Sequence, residues 1–328
     1  MADKRRGEAE LIAHYFAPLA SDKEAFGLRD DAAFLSPPAG YDLVVTKDLL
    51  MADVHFFAND PPRKIAQKAL RVNLSDLAAK GAKPYGYLLG LGLPNDWKED
   101  WLVDFVSGLG SDQKEYDFIL LGGDTVKSPE RLSLSVTALG LVPTGSRIVR
   151  PKAKVGDSLY MSGTLGDAAL GLLGRLGKLP AGMSEDDANY LRNRYWLPEP
   201  RTQLAEILQS YVHAAMDISD GLLGDAEKMA KACGAKAHIY TDQVPLSGAA
   251  KAVLELDEKL ISVILSGGDD YELLMAVSEE NEQAFLNHVS QQAVSVTKIG
   301  RLETGEGLEL SSNKLTLSDS APLSFEHF

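Results

Sequence analysis

"ILLGGDT", residues 119–125, is the stretch on which the fold turns. Apolar residues followed by two glycines and an aspartate read as a buried strand that delivers a carboxylate at its carboxyl end, where the glycine backbone lets a ligand approach closely. That is the usual position of a site in an α/β fold. Working outward, apolar spacing and Pro/Gly punctuation predict strands at 43–47, 86–93, 117–121, 132–142, 157–162, 236–240, 261–265, 272–277 and 295–300. Helices are predicted at 8–20, 62–81, 98–112, 165–176, 185–195, 200–210, 220–232 and 279–291. "NDPPRK" puts prolines at the start of the second helix, where a missing amide proton costs nothing.

At 328 residues the chain exceeds the usual size of one hydrophobic core, so two domains are expected. The break falls near "VPTGSRIVRPKAKVGD", residues 142–157, which suggests domains of 1–145 and 146–328. "NLSD" at 73–76 and "DISD" at 217–220, like "GGD" at 122–124 and 267–269, recur across that break with offsets of 144 and 145. Both halves thus bring an acidic turn to the end of an apolar segment, as two lobes facing one cleft would.

With 47 acidic and 33 basic residues the formal charge is −14, which argues against nonspecific binding to nucleic acid or an anionic membrane. No window approaches eighteen consecutive apolar residues, and "MADKRRGEAELIAHYF" lacks the apolar stretch of a signal peptide, so a cytoplasmic protein is expected. The single cysteine, Cys233, excludes an intramolecular disulfide and a Cys-rich metal site.

Aspartates gather where elements begin and end: Asp30 and Asp31, Asp48, Asp76, Asp124, Asp217 and Asp220, Asp269 and Asp270. Each alone is readable as a helix cap or a turn residue. As a set they suggest a magnesium–nucleotide site, because converging carboxylates repel one another unless cations hold them ionised, and Mg²⁺ prefers carboxylates, water and phosphate oxygens. Asn73 and Asp76 lie three apart on one side of their predicted helix. In "VVTKDLL", residues 44–50, strand alternation puts Thr46 and Asp48 on one face and Val45 and Lys47 on the other. Lys47 then points away from its neighbours' ligand, and any metal contact at that position comes through its carbonyl. Neither a P-loop nor GxGxxG is present: "GLLGRLGKL" at 171–179 has the wrong spacing and ends in leucine, and "GLGLPN" fails at Asn95.

"GEAELIAHYF", "DDAAFL", "TKDLLMADVHF", "KALRVNLSDLAAKGAKP", "LLGGDT", "MDISDGLLGD", "LSGGDDYEL" and "FEHF", in this order, span nearly the whole chain. Together they resemble the bacterial thiamine-monophosphate kinase family, within the superfamily of aminoimidazole ribonucleotide synthetase. The resemblance implies a two-domain α/β fold (of the α+β type), whose N-terminal mixed sheet forms a homodimer interface. It implies transfer of the γ-phosphoryl group of ATP to thiamine monophosphate, with several Mg²⁺ ions. Carried over residue by residue, the metal positions are Asp31, Thr46, Lys47, Asp48, Asp76, Asp124, Asp217 and Asp220. ATP contacts fall on Gly123, Asp124, Arg150, Ser219 and Tyr116, and substrate contacts on His55, Asp269 and Phe325. Asp124 and Arg150 are the implied catalytic pair. The chain departs from the family in carrying Arg29 before Asp30 and Asp31 where glycine is common, Lys47 for threonine, and Asp269 for glutamate. Two alternatives stand: another ATP-dependent enzyme of the superfamily with a different acceptor, and a noncatalytic magnesium–nucleotide scaffold.

Overall fold

A computed structural model describes residues 6–21 and 23–312. The chain divides into two compact units, one comprising the residues up to Leu77 with Ala82–Thr144, the other Ala78–Gly81 with Gly145 onward.

The first unit opens with a one-turn helix, α1 (Glu8–Leu11), which widens into a π turn at Ile12–Phe16 and tightens at Ala17–Leu19. The continuous helix expected over 8–20 is therefore not formed. Its buried residues Leu11, Tyr15 and Phe16 are spaced four and five apart, which suits a wider turn, and Pro18 cannot donate to a preceding carbonyl. Strand β1 (Tyr41–Met51) leads to α2 (Pro62–Ala79), β2 (Lys83–Leu93), α3 (Glu99–Tyr116), β3 (Ile119–Lys127) and β4 (Ser133–Pro143). The four strands make one mixed sheet in the order β1-β4-β2-β3, antiparallel except for β2 and β3.

Helices α2 and α3 cover one face of this sheet. Leu70, Leu74, Leu77, Leu102, Phe105 and Leu109 are fully buried there, and Tyr87 stacks on Phe118 at 4.9 Å. The two helices are tied by a buried ion pair, Arg71 Nε to Asp112 Oδ2 at 2.7 Å, with Gln67 donating to Oδ1 of the same carboxylate. The opposite face leaves large apolar side chains in the open: Leu43, Val45, Leu49, Leu88 and Val126 are 39–60% exposed. The alternating burial of β1 follows from this one-sided cover.

The second unit runs β5 (Ser158–Ser162), α4 (Asp167–Arg175), α5 (Glu185–Trp196), α6 (Ala205–Tyr211), β6 (Ala214–Ile218), α7 (Leu222–Cys233), β7 (Lys236–Tyr240), α8 (Gly248–Leu256), α9 (Ile261–Ser266), β8 (Glu272–Val277), α10 (Glu279–Val289), β9 (Val296–Glu303) and β10 (Gly307–Ser311). Its six strands form a sheet in the order β10-β7-β9-β5-β8-β6. Ser184, Ser247 and Ser278 cap α5, α8 and α10 through their side-chain oxygens.

The strand expected at 261–265 is the helix α9. A short apolar run has no decisive period, and here Ile261, Ile264 and Leu265 are buried at helical spacing behind a turn capped by Asp257. Strands β6 and β10 and helix α8 went unpredicted. β6 is "AAMDI", whose alanines carry little strand preference although all five of its residues are buried.

Candidate active site

In the first unit, β1 turns Thr46 and Asp48 toward α2. Thr46 Oγ1 donates a hydrogen bond to Asp76 Oδ2. Burial and then the charge of Asp76 push the Asp48 carboxyl up to about 6, against the opposing pull of Lys47. Two acids and a hydroxyl thus share a half-buried place beneath the helix. Lys47 points the other way, its Nζ donating to Ser135 Oγ.

Asp124 does not lie at a strand end. β3 continues to Lys127 and pairs with β2 throughout, so Asp124 is an exposed residue inside an edge strand, a correction to the reading of "ILLGGDT". Its register is with Gly90, which pairs with Ser135, which in turn faces Leu49. Directly opposed residues share a face. Asp124 is therefore on the side of Lys47, and Thr46, Asp48 and Asp76 are on the other.

Asp124 instead lines a cleft of about 850 Å³ together with Asp30, Asp31, Gly123, Ser135 and Thr137. The expected convergence of the first-unit acids is thus two groups, one on each face. Among the described residues no three His, Cys, Asp or Glu side chains are placed to hold one ion. The donor chemistry still suits a hard cation. Asp48 is held near a second carboxylate at a cost that a bound divalent ion would remove, and Thr46 and Asp76 beside it offer oxygen. Gly123 is required by geometry, since a Cβ there would sit 2.0 Å from the Leu89 carbonyl oxygen.

Two other candidates of this unit are tied locally. Tyr116 ends α3 with the Arg71 guanidinium 5.5 Å from its ring centroid. His55 closes a turn after β1, Nδ1 accepting from the Met51 N–H at 3.1 Å, which leaves Nε2 as the protonated nitrogen of the neutral ring.

In the second unit, Asp217 is buried in β6, and Ser219 and Asp220 form the turn into α7. That turn interlocks with the "SGGDDY" loop. The Asp269 N–H donates to Ser219 O at 2.8 Å and the Tyr271 N–H to Ile218 O at 2.9 Å. A Cβ on Gly268 would lie 2.2 Å from Ser219 O, and one on Gly221 2.3 Å from Ser266 O. Asp269 and Tyr271 both adopt positive φ, 75° and 52°, in a region non-glycine residues rarely enter. Side chains on either side of Tyr271 anchor this loop. Asp270 accepts from the Gly166 and Ala168 N–H groups at the start of α4, and burial pushes it up to about 8 against those two bonds. Glu272, fully buried, accepts from Ser162 and Arg194 and pairs twice with Arg201. The turn that carries Arg150 (Arg150–Lys152) packs against β6 and α7, the elements flanking Ser219 and Asp220. Asp217, Ser219, Asp220, Asp269 and the Arg150 turn are therefore neighbours within this unit. Phe325 lies outside the described residues.

Two side chains of the turn escaped the sequence reading. Asp225 Oδ2 accepts from both the Ser219 and Asp220 N–H groups at 3.0 Å. Lys228 Nζ bridges Asp220 Oδ2 at 2.5 Å and Asp225 Oδ1 at 2.9 Å. The available signal was an acid in the first turn of α7 with a lysine three residues on.

A four-stranded mixed-sheet unit with acids on both faces, followed by a six-stranded unit whose acids gather at a glycine-bound turn, defines a class. The model of the AIR synthase related protein N-terminal domain matches residues 29–142, and that of its C-terminal domain matches 154–313. The thiamine-monophosphate kinase of Caulobacter vibrioides is 42% identical over 305 residues, covering 92% of this chain and 85% of its own length. A crystal structure of thiamine-monophosphate kinase from Stenotrophomonas maltophilia superposes with a TM-score of 0.81 at 40% identity, covering 90% of this chain and 93% of that one. A structure of AaThiL complexed with AMPPCP and TMP gives 0.78 at 32% identity, over 98% of this chain and 97% of its own. Within the AIR synthase-related class, the chain belongs to the thiamine-monophosphate kinase family.

Proposed function

We propose that this protein phosphorylates thiamine monophosphate with ATP, releasing thiamine diphosphate and ADP. The observation that carries the reading is the similarity, over 98% of the chain, to a structure whose ligands are AMPPCP and TMP. In this reading Asp31, Thr46, Asp48, Asp76, Asp124, Asp217 and Asp220 hold magnesium, with Lys47 contributing only its carbonyl. Gly123, Asp124, Arg150, Ser219 and Tyr116 contact ATP, and His55, Asp269 and Phe325 contact thiamine monophosphate. Magnesium, when bound, supplies cancellation of charge along the phosphate chain.

The chain's own contribution is positioning. Gly123 lets β3 lie close against the Leu89 backbone beside Asp124, Arg150 offers a planar guanidinium to the phosphate chain, and the interlocked 218–221 and 266–271 loops fix Ser219 and Asp269. An oxygen of the acceptor phosphate forms the new P–O bond to the γ-phosphorus as the bond to the ADP oxygen breaks in line. The acceptor is a dianion near neutral pH and needs no general base. Lys47→Thr is expected to keep turnover within a few-fold: the ammonium is turned away from the Thr46–Asp48–Asp76 group and, on the face it shares with Asp124, is engaged by Ser135. A collapse of the steady-state rate in that variant returns Lys47 to the site.

The apolar face bearing Leu43, Val45, Leu49, Leu88 and Val126 supports a homodimer through the first unit's sheet. Val45→Asp should convert the dimer to a monomer in sedimentation velocity, and an unchanged mass argues against this face. Among the described residues no helix is long and apolar enough to cross a membrane. A cytoplasmic location accords with this reading and with the single cysteine.

A further inference from the structure

We infer that Lys228 is a built-in competitor for the cation at Asp220, and that it sets the metal concentration at which this carboxylate exchanges an internal counter-ion for a divalent ion. The inference rests on the metal-binding role proposed above for Asp220. Its basis is the division of labour around the turn. Asp225, 1% exposed, commits Oδ2 to the Ser219 and Asp220 N–H groups and so holds the turn in shape. Asp220 has no such duty for its side chain, whose Oδ2 meets the Lys228 ammonium at 2.5 Å. The ammonium therefore stands at the oxygen a cation would take.

Lys228 can yield that place without being stranded. Its side chain is 42% exposed, and it keeps a second carboxylate partner in Asp225 at 2.9 Å. The same arrangement limits the strength of the competition. Asp220 is 40% exposed, and a pair this open to water is worth little, so the effect on metal affinity is about two- to fivefold. Lys228 thus keeps the Asp220 side chain oriented while no cation is bound. It retards metal loading until the phosphates of a nucleotide add their own attraction for the ion.

The experiment titrates the full chain with Mn²⁺ alone, reading free ion by electron paramagnetic resonance, in Lys228→Met, Lys228→Arg, Asp220→Asn and the Lys228→Met/Asp220→Asn double variant. Lys228→Met should bind Mn²⁺ about two- to fivefold more tightly, Lys228→Arg should match wild type, and the Met substitution should have no effect once Asp220 is asparagine. Lys228→Gln, which keeps a polar head beside Asp225, serves as a second variant if Met loosens the turn, and it should tighten binding in the same direction. Unchanged or weaker binding in both Lys228 variants, with Asp220→Asn still weakening Mn²⁺, overturns the competition while leaving Asp220 a ligand. If Asp220→Asn binds Mn²⁺ as wild type does, the ligand role fails and the inference fails with it. Formation of thiamine diphosphate is read separately and is not decided by either result.

Discussion

Asp76→Asn is expected to lower kcat by roughly 10²–10³, the loss typical when one preorganised charge-stabilising group is removed from a phosphoryl- or acyl-transfer site. The substitution preserves size. The asparagine oxygen can still accept from Thr46 Oγ1, so the contact between β1 and α2 persists. What disappears is the negative charge that pushes the Asp48 carboxyl upward. Two effects of opposite sign follow. Turnover falls because a cation loses a ligand, while thermal stability without magnesium stays level or rises because a repulsion is relieved. A fall in both melting temperature and rate instead marks Asp76 as a structural residue, and near-normal turnover at saturating Mg²⁺ removes it from the site. Steady-state kinetics and a thermal melt in chelator separate these cases.

Glu272→Leu is expected to destabilise the second unit by about 3 kcal/mol or more, because breaking a buried pair strands the remaining charges. Glu272 is fully buried and pairs with Arg194 and Arg201, themselves 6% and 11% exposed. Glu199, 53% exposed, still meets both arginines at 2.9 and 3.1 Å and holds the loss to the lower part of the usual range. For a unit of this size that is a fall in melting temperature of roughly 6–12 °C. Adding Arg201→Met should recover part of it, since the stranded cation goes with its partner. The loop from Gly267 to Tyr271 should suffer more than the sheet, because Glu272 is one of its two anchors. Faster amide exchange at Asp269 and Tyr271 in Glu272→Leu is the local signature. No change in melting temperature contradicts the buried pairing.

The sequence carried the strands with strong apolar runs and the helices with caps, since local pattern and burial agree in them. β8 (Glu272–Val277) and α5 (Glu185–Trp196) are found where periodicity puts them. It failed where local pattern is silent. "ISVILS" has no decisive period, and its helix is chosen by the packing of Ile261, Ile264 and Leu265. The alternation of Thr46, Lys47 and Asp48 was legible from strand geometry alone, and Lys47 does turn toward Ser135. The face of Asp124 was not legible, because it depends on how β3 registers with β2, including an irregularity at Tyr87 and Leu88 that no local pattern reveals. Asp225 and Lys228 were missed for a related reason. An acid and a lysine on a helix read as a solvated pair until the preceding turn folds back to donate its N–H groups.

The most direct measurement incubates the purified protein with Mg-ATP and thiamine monophosphate and follows nucleotides and thiamine phosphates by chromatography. Thiamine diphosphate and ADP should form in equal amounts, and both should require Mg²⁺ and thiamine monophosphate. Absence of thiamine diphosphate, or ADP released only when a different acceptor is supplied, contradicts the proposed activity.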